Sequence, residues 1–288
     1  MNYLSINING VSSVSKGNWV KKLKRNLKVD VIGLQETHRS GLSEKNLRCF
    51  WDYTKLKVAT VDSVGRSGGL ALLWNPDRFS DDLMLKNQRF LLVSGFMAGV
   101  EERLNLINIH APNEARNRRI LWADLLNLMS QMEGMWVLFG DFNDVRDESE
   151  RVNSNFDRGA AESFNEFISS AGLFEFAMSG GKFTYISGHA NVKFSKLDRF
   201  LVCESFLNRW PAAKAEVHDR GASDHCPISL NCNPLDYGPI PFKLFNSWLE
   251  DQRMGSIVQS VLDAPTFGGR YDELLAYILK NIKAEIKK

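Results

Sequence analysis

The 288-residue chain, 44% hydrophobic and 24% charged, has an ordinary globular composition, with apolar side chain enough for one large domain or two smaller ones. A net charge of +2 provides no overall field for nucleic acid, so any basic surface must be local and balanced by acidic residues elsewhere. The four cysteines (Cys49, Cys203, Cys226, Cys232) lack the paired spacing of a zinc site, and no signal peptide or membrane-length apolar run is present. An intracellular protein with reduced thiols and no membrane contact is expected, the nucleus being the expected compartment.

Tyr3 to Ile8 alternates as a half-buried strand does and stops at Asn9-Gly10. Trp19, Val20, Leu23 and Leu27 recur at helical spacing, and the basic run Lys21-Lys22-Leu23-Lys24-Arg25 reads as that helix's solvated face. Val29 to Leu34 is a second strand, delivering Gln35-Glu36-Thr37 at its carboxyl end. Ser43 is placed to cap a short helix. Strands at Leu56–Val61 and Leu70–Trp74 flank a Gly65–Gly69 loop, and further strands are predicted at Phe90–Phe96 and Leu104–His110.

Ala111-Pro112-Asn113 then breaks the pattern and caps a helix whose stripe is Ile120, Leu121, Leu125, Leu128, Met129 and Met132. The unbroken run Trp136-Val137-Leu138-Phe139 reads as a strand buried on both faces, and it ends in Gly140-Asp141-Phe142-Asn143. A helix over Ala161–Ala171 ends at Gly172, and strands follow at Lys182–Ile186, Leu197–Val202, Ala213–Val217 and Pro227–Asn231. Pro234, Gly238, Pro239 and Pro241 mark a boundary, so 1–232 and 233–288 are expected as a main domain and a helical tail. The predicted tail helices are Leu244–Leu249, Ile257–Leu262 and Tyr271 onward. More than ten strands with few helices predict an α/β fold of two packed sheets with helices outside.

The polar residues gather where strands stop. Asn7, Glu36, His110, Asn113, Asp141, Asn143, Asp198 and Ser223-Asp224-His225 all fall at or beside strand ends, the edge at which open α/β folds bind ligands. Each alone has a structural explanation, as a surface charge, a turn cap or a satisfied polar group. Together they supply one chemistry. Glu36 supported by Asn7 offers the hard oxygen ligands Mg²⁺ prefers. Asp141 can take a proton from a water that Asn143 holds, and His225 can donate to a phosphate oxygen while Asp198 or Asp224 fixes its tautomer.

The motifs Asn7-Ile8-Asn9-Gly10, Gln35-Glu36-Thr37, Gly68-Gly69-Leu70-Ala71, Asn108-Ile109-His110-Ala111-Pro112-Asn113, Gly140-Asp141-Phe142-Asn143, Lys196-Leu197-Asp198-Arg199-Phe200 and Ser223-Asp224-His225-Cys226-Pro227-Ile228 resemble, in order, those of the endonuclease/exonuclease/phosphatase superfamily. The resemblance implies the four-layer DNase I-like sandwich of two mixed sheets flanked by helices. Within it, Lys182-Phe183-Thr184-Tyr185 and the tail Pro241–Trp248 resemble the apurinic-type endonuclease domain of plant LINE-type (non-LTR) retrotransposons and the segment before their reverse transcriptase.

Position by position, the resemblance makes Glu36 the principal metal ligand with Asn7 beside it and Asp224 a second metal-proximal carboxylate. It gives Asp141 and Asn143 the attacking water, Asp198 the orientation of His225, and Asn113 a phosphate-side amide. His110 stands where repair enzymes carry a tyrosine, and Asn9, on the substrate side, where they often carry an aspartate. Nicking of intact duplex DNA is therefore expected over abasic-site incision, with Mg²⁺, or else Mn²⁺, as cofactor. Arg116, Arg118 and Arg119, one turn past Asn113, are candidates for DNA-backbone contact. Phe79-Ser80-Asp81-Asp82 copies a polymerase signature without polymerase context. Two rival readings stand: another phosphoesterase of the fold, acting on abasic DNA, RNA tails or phosphoinositides, and a non-catalytic retroelement remnant that binds DNA or a partner.

Overall fold

The computed structural model describes residues 1–65, 67–187, 191–232, 251–264 and 271–286, and divides the chain into two compact units, Met1–Pro234 and Leu235–Lys288. Elements of the first unit begin with β1 (Asn2–Asn7), α1 (Val14–Asn26), β2 (Val31–Gln35), α2 (Glu44–Leu47), β3 (Lys57–Val61), β4 (Leu70–Trp74), β5 (Phe79–Lys86), β6 (Phe90–Met97) and β7 (Arg103–His110). There follow α3 (Ala115–Ser130), β8 (Met135–Asp141), β9 (Arg151–Val152), α4 (Arg158–Ser170), β10 (Leu173–Glu175), β11 (Met178–Ser179) and β12 (Tyr185–Ser187). The unit ends with β13 (Lys193–Ser195), β14 (Asp198–Cys203), α5 (Glu204–Arg209), β15 (Lys214–Val217) and β16 (Ile228–Asn231).

A seven-stranded sheet runs β11-β15-β16-β1-β2-β4-β3, a six-stranded sheet β10-β14-β8-β7-β6-β5, and a small three-stranded sheet β12-β13-β9. The long runs without polar alternation are explained by burial on both faces. Between the large sheets lie Tyr3, Leu72, Trp74, Val93, Leu106, Val137, Phe139 and Phe200, all essentially inaccessible. The outer face of the seven-stranded sheet buries Leu4, Ile6, Ile32 and Leu34 with Val20 of α1, Phe50 and Trp51. The outer face of the six-stranded sheet buries Leu92, Ile107 and Leu138 beneath Leu121, Trp122 and Leu125 of α3 and Phe164 and Phe167 of α4. Each such side chain contributes about 1.5–3 kcal/mol. The layers are thus helix, sheet, sheet, helix: the DNase I-like sandwich that the motifs implied.

Two devices close the sheets onto each other. Gly33 in β2 lies so near the facing sheet that a Cβ there would stand 2.4 Å from Phe139 Cε2. Beside it, Asn108 of β7 donates across the seam to the carbonyls of Leu34 (3.1 Å) and Ala71 (3.0 Å) and accepts from Gln35 Nε2 at 2.5 Å.

Several boundaries differ from the sequence reading. Lys24 is not on a solvated face: it is buried, pairs with Asp52 at 2.6 Å and lies over Trp51. Phe79-Ser80-Asp81-Asp82, read only as a coincidental signature, opens the edge strand β5 (Phe79–Lys86). Helix α3 starts at Ala115 with Glu114, not Asn113, at its N-cap. Helix α4 starts at Arg158, three residues ahead of the predicted Ala161, with Asp157 as its cap accepting from Ala160 N. In the second unit α6 (Gln252–Leu262) and α7 (Tyr271–Ile286) stand where helices were predicted. The predicted Leu244–Leu249 helix, the Pro234–Pro241 boundary and the Pro241–Trp248 likeness lie outside the described residues.

Candidate active site

The carboxyl ends of β1, β2, β7 and β8 meet the start of β14 and the turn before β16. The pairing fixes their heights, because β7 and β8 run parallel with His110 opposite Asp141, and β8 and β14 antiparallel with Asp141 opposite Asp198. Asn7 and Gln35 are parallel partners, which puts Glu36 one step beyond Asn7. Two strand ends from each large sheet therefore open on one cleft of about 600 Å³.

Gly140 makes the exit of β8 possible. Its φ is +133°, and a Cβ would stand 2.0 Å from the Ile109 carbonyl oxygen. Beyond it, Asn143 adopts φ +50°, its backbone N–H donates to Asp141 Oδ1 at 2.9 Å, and its side-chain amide donates to the Ala111 carbonyl at 2.8 Å. Asp141 is buried and points its Oδ2 at Asn7 Nδ2, 3.0 Å away; the same nitrogen donates to Glu36 Oε1 at 2.9 Å. One amide thus sits between two carboxylates.

His225 is buried with Nδ1 2.7 Å from Asp198 Oδ2 and Nε2 3.7 Å from Asp141 Oδ2. Tyr185 packs on its ring at 4.9 Å, and Thr184 Oγ1 accepts the backbone N–H groups of Leu197 and Asp198, anchoring the aspartate. Burial pulls the His225 imidazole down, but Asp198, Asp141 and Asp224 outweigh it and hold it at about 10. Burial likewise pushes Glu36 up, and the donors His110 and Asn7, with the His38 charge, hold it at about 2.

Of the residues singled out in the sequence, Asn7, Glu36, His110, Asp141, Asp198 and His225 converge. Apart from Asn7, their ligand atoms form two groups, Glu36–His110–Asp141 and Asp141–Asp198–His225, each within 4.8 Å. Asp224 lines the cleft outside both groups, held by Asn9 Nδ2 at 3.2 Å. Asn113 lines it as well, and Arg116 is exposed on the first turn of α3, outside the lining. Arg118 departs from expectation: it is buried and pairs with Asp144 at 2.8 Å, while its Nη1 donates to the Asn113 carbonyl. It braces the loop and is not free for a phosphate.

Sequence reasoning missed Thr184 and Tyr185 as the platform of the Asp198–His225 pair, Arg151 and Lys193 on the cleft wall, and His38 against Glu36. It also missed what holds β14 from below. Arg199, fully buried, donates to both Glu150 and Glu175, and Lys196 reaches Glu175 at 2.7 Å.

The Endonuclease/Exonuclease/phosphatase family pattern matches residues 4–225, most of the chain and every converging residue above. The chain belongs to that family. Like other endonuclease/exonuclease/phosphatase proteins, it has the fold of phosphodiester-cleaving and nuclease enzymes. It is similar to a Leishmania major AP endonuclease at 14% identity and TM-score 0.62, over 80% of this chain and 86% of that one. An Archaeoglobus fulgidus AP endonuclease gives 15% and 0.62, over 80% and 98%. The endonuclease domain of TRAS1, a telomere-specific non-LTR retrotransposon, gives 12% and 0.60, over 80% and 97%. Among the described residues no helix is long and apolar enough to cross a membrane.

Proposed function

We propose that this family member is a divalent-metal-dependent endonuclease that nicks duplex DNA, as in LINE-type retrotransposition. One observation carries the reading: the side-chain nitrogen of Asn7 lies 2.9 Å from Glu36, 3.0 Å from Asp141 and 3.5 Å from the His225 ring, so two carboxylates and a histidine from separate segments share one centre. Phosphate esters hydrolyse so slowly unaided that accelerations of about 10¹⁷ are needed, and one base supplies only about 10²–10⁴.

The roles follow from the geometry. Asp141 accepts the proton of the attacking water, and Asn143, locked beside it, positions that water. His225 acts as a charged donor to the phosphate oxygen, because its three carboxylate neighbours keep it protonated at neutral pH. Asp198 keeps Nδ1 occupied so that Nε2 faces the substrate. Glu36 and Asp141, two carboxylates within reach of one another with His110 alongside, suit a divalent cation of the Mg²⁺ or Mn²⁺ class, with Asp224 a further carboxylate on the cleft wall; Asn7, expected beside the metal, turns its amide nitrogen to both carboxylates and orients them. That cation would supply Lewis-acid charge to the phosphate and leaving oxygen. Asn113, Asn9 and Arg116 face the backbone flanking the cut, helped by Arg151 and Lys193.

The motif likeness to plant LINE endonuclease domains and the TRAS1 similarity favour DNA of a host chromosome as target. His110 and Asn9, where repair enzymes carry tyrosine and aspartate, argue against abasic-site incision. Supercoiled plasmid and an abasic oligonucleotide, each incubated with Mg²⁺, Mn²⁺ or EDTA, test the reading. Metal-dependent relaxation of the plasmid is expected. Cleavage confined to the abasic strand would make the protein a repair-type enzyme, and no cleavage of either would leave a binding module.

A further inference from the structure

The Gly68-Gly69 motif and His38 have no part in the roles above, yet they meet at Glu36. Glu36 and His38 both have φ near +53°, with buried Thr37 between them. Such a backbone is held, not relaxed. On one side Gly10 N donates to the Glu36 carbonyl (2.7 Å) and Val11 N to that of Thr37 (3.2 Å). On the other, Thr37 N and His38 N donate to the carbonyls of Gly69 (3.1 Å) and Gly68 (3.0 Å). A Cβ on Gly69, whose φ is +86°, would stand 2.3 Å from Thr37 Oγ1, so only glycine lets this second wall approach. The pinned turn folds the His38 ring back, and its Nε2 lies 3.0 Å from Glu36 Oε2.

The other oxygen, Oε1, has Asn7 Nδ2 at 2.9 Å and His110 Nε2 at 3.3 Å. An ionised carboxylate offers about four lone-pair directions. Three donors therefore fix the rotamer and leave one direction for a cation. We propose that His38 is a positioning residue: by holding Oε2 of Glu36, from a turn that Gly68 and Gly69 permit, it presents this carboxylate to the divalent ion in one orientation. The inference rests on the metal site proposed above. A half-exposed pair of this kind adds little to global stability, so its effect is read in the metal.

The test is Mn²⁺ binding to the full chain, followed by the EPR signal of the free ion, for wild type, His38→Ala, His38→Gln and Glu36→Gln, with thermal melting alongside. Loss of a partner that orients a ligand costs about 10–100-fold in metal affinity. His38→Ala is expected to weaken Mn²⁺ binding at least about tenfold at unchanged melting temperature. His38→Gln, which keeps a donor, is expected to recover most of it. Should His38→Ala fail to fold, His38→Phe, which keeps a ring without a donor, takes its place. Unchanged affinity in His38→Ala overturns the proposal, as does a His38→Gln as weak as His38→Ala. Directly bound imidazole nitrogen in the spin-echo spectrum that vanishes on substituting His38 overturns it too, since His38 would then be a ligand. Wild type that takes up no Mn²⁺ removes the metal site itself, a result distinct from wild type that binds and a His38 variant that binds equally well.

Discussion

Replacing Asp198 by asparagine should flatten the alkaline loss of stability of the metal-free protein. His225 has Asp198 Oδ2 at 2.7 Å and Asp141 Oδ2 at 3.7 Å, and these, with Asp224, hold its imidazole at about 10 against an ordinary 6.5. A group whose folded pKa exceeds its unfolded one stabilises fully below the unfolded value and loses that contribution as pH climbs through the folded value. The window is therefore pH 6.5 to about 10. At about 1.4 kcal/mol per pH unit the full contribution is on the order of 5 kcal/mol. Asparagine at 198 removes the nearest charge and should abolish more than half of it. Urea unfolding of wild type and Asp198→Asn in EDTA, across that window, measures the difference, and groups common to both proteins cancel. Wild type should lose stability more than twice as steeply as the variant. Parallel curves would refute the argument, because they would mean that His225 is not charged by its neighbours.

Asp141→Asn should reduce plasmid nicking at least about 100-fold by removing the base, with the melting temperature close to wild type; comparable nicking would take Asp141 out of that role. Glu36→Gln should shift the Mg²⁺ midpoint for nicking upward, and an identical metal titration would contradict a ligand role. Arg199→Met strands Glu150 and Glu175 without their guanidinium and should cost about 3–5 kcal/mol in denaturant unfolding. A loss below about 1 kcal/mol would show that Lys196 and Arg146 suffice.

The parts of this protein legible in its sequence are those governed by local patterning. The apolar runs of β1, β2, β4, β7, β8 and β14 are strands because each is covered on both sides, and their last polar residues fall at the same edge. Asp141 and Glu36 are thus brought to one edge by the sequence pattern alone. Of the short strands β9 to β13 only β12 is touched by a predicted run, Lys182–Ile186, since two or three residues carry no period, and β9, β10 and β11 pair with partners far along the chain. Lys24 and Arg118 misled for a related reason. A basic residue in a helix reads as solvated unless its acidic partner is known, and Asp52 and Asp144 lie 28 and 26 positions away. Thr184 stands within the Lys182–Tyr185 motif, but its work of accepting two backbone N–H groups next to Asp198 depends on a fold-back the sequence does not announce.

Asn108 has a consequence for how the protein would fail. Asn7 and Glu36 travel with one sheet, Asp141 and Asp198 with the other, and the Asn108 amide, joined by Gln35, is a rivet between the plates a few residues below them. Slippage of one plate over its neighbour by about 1 Å, too little to expose the interior, is enough to cost a reaction centre about 100-fold. Wear at the rivet would register as lost turnover while the molecule still looked folded.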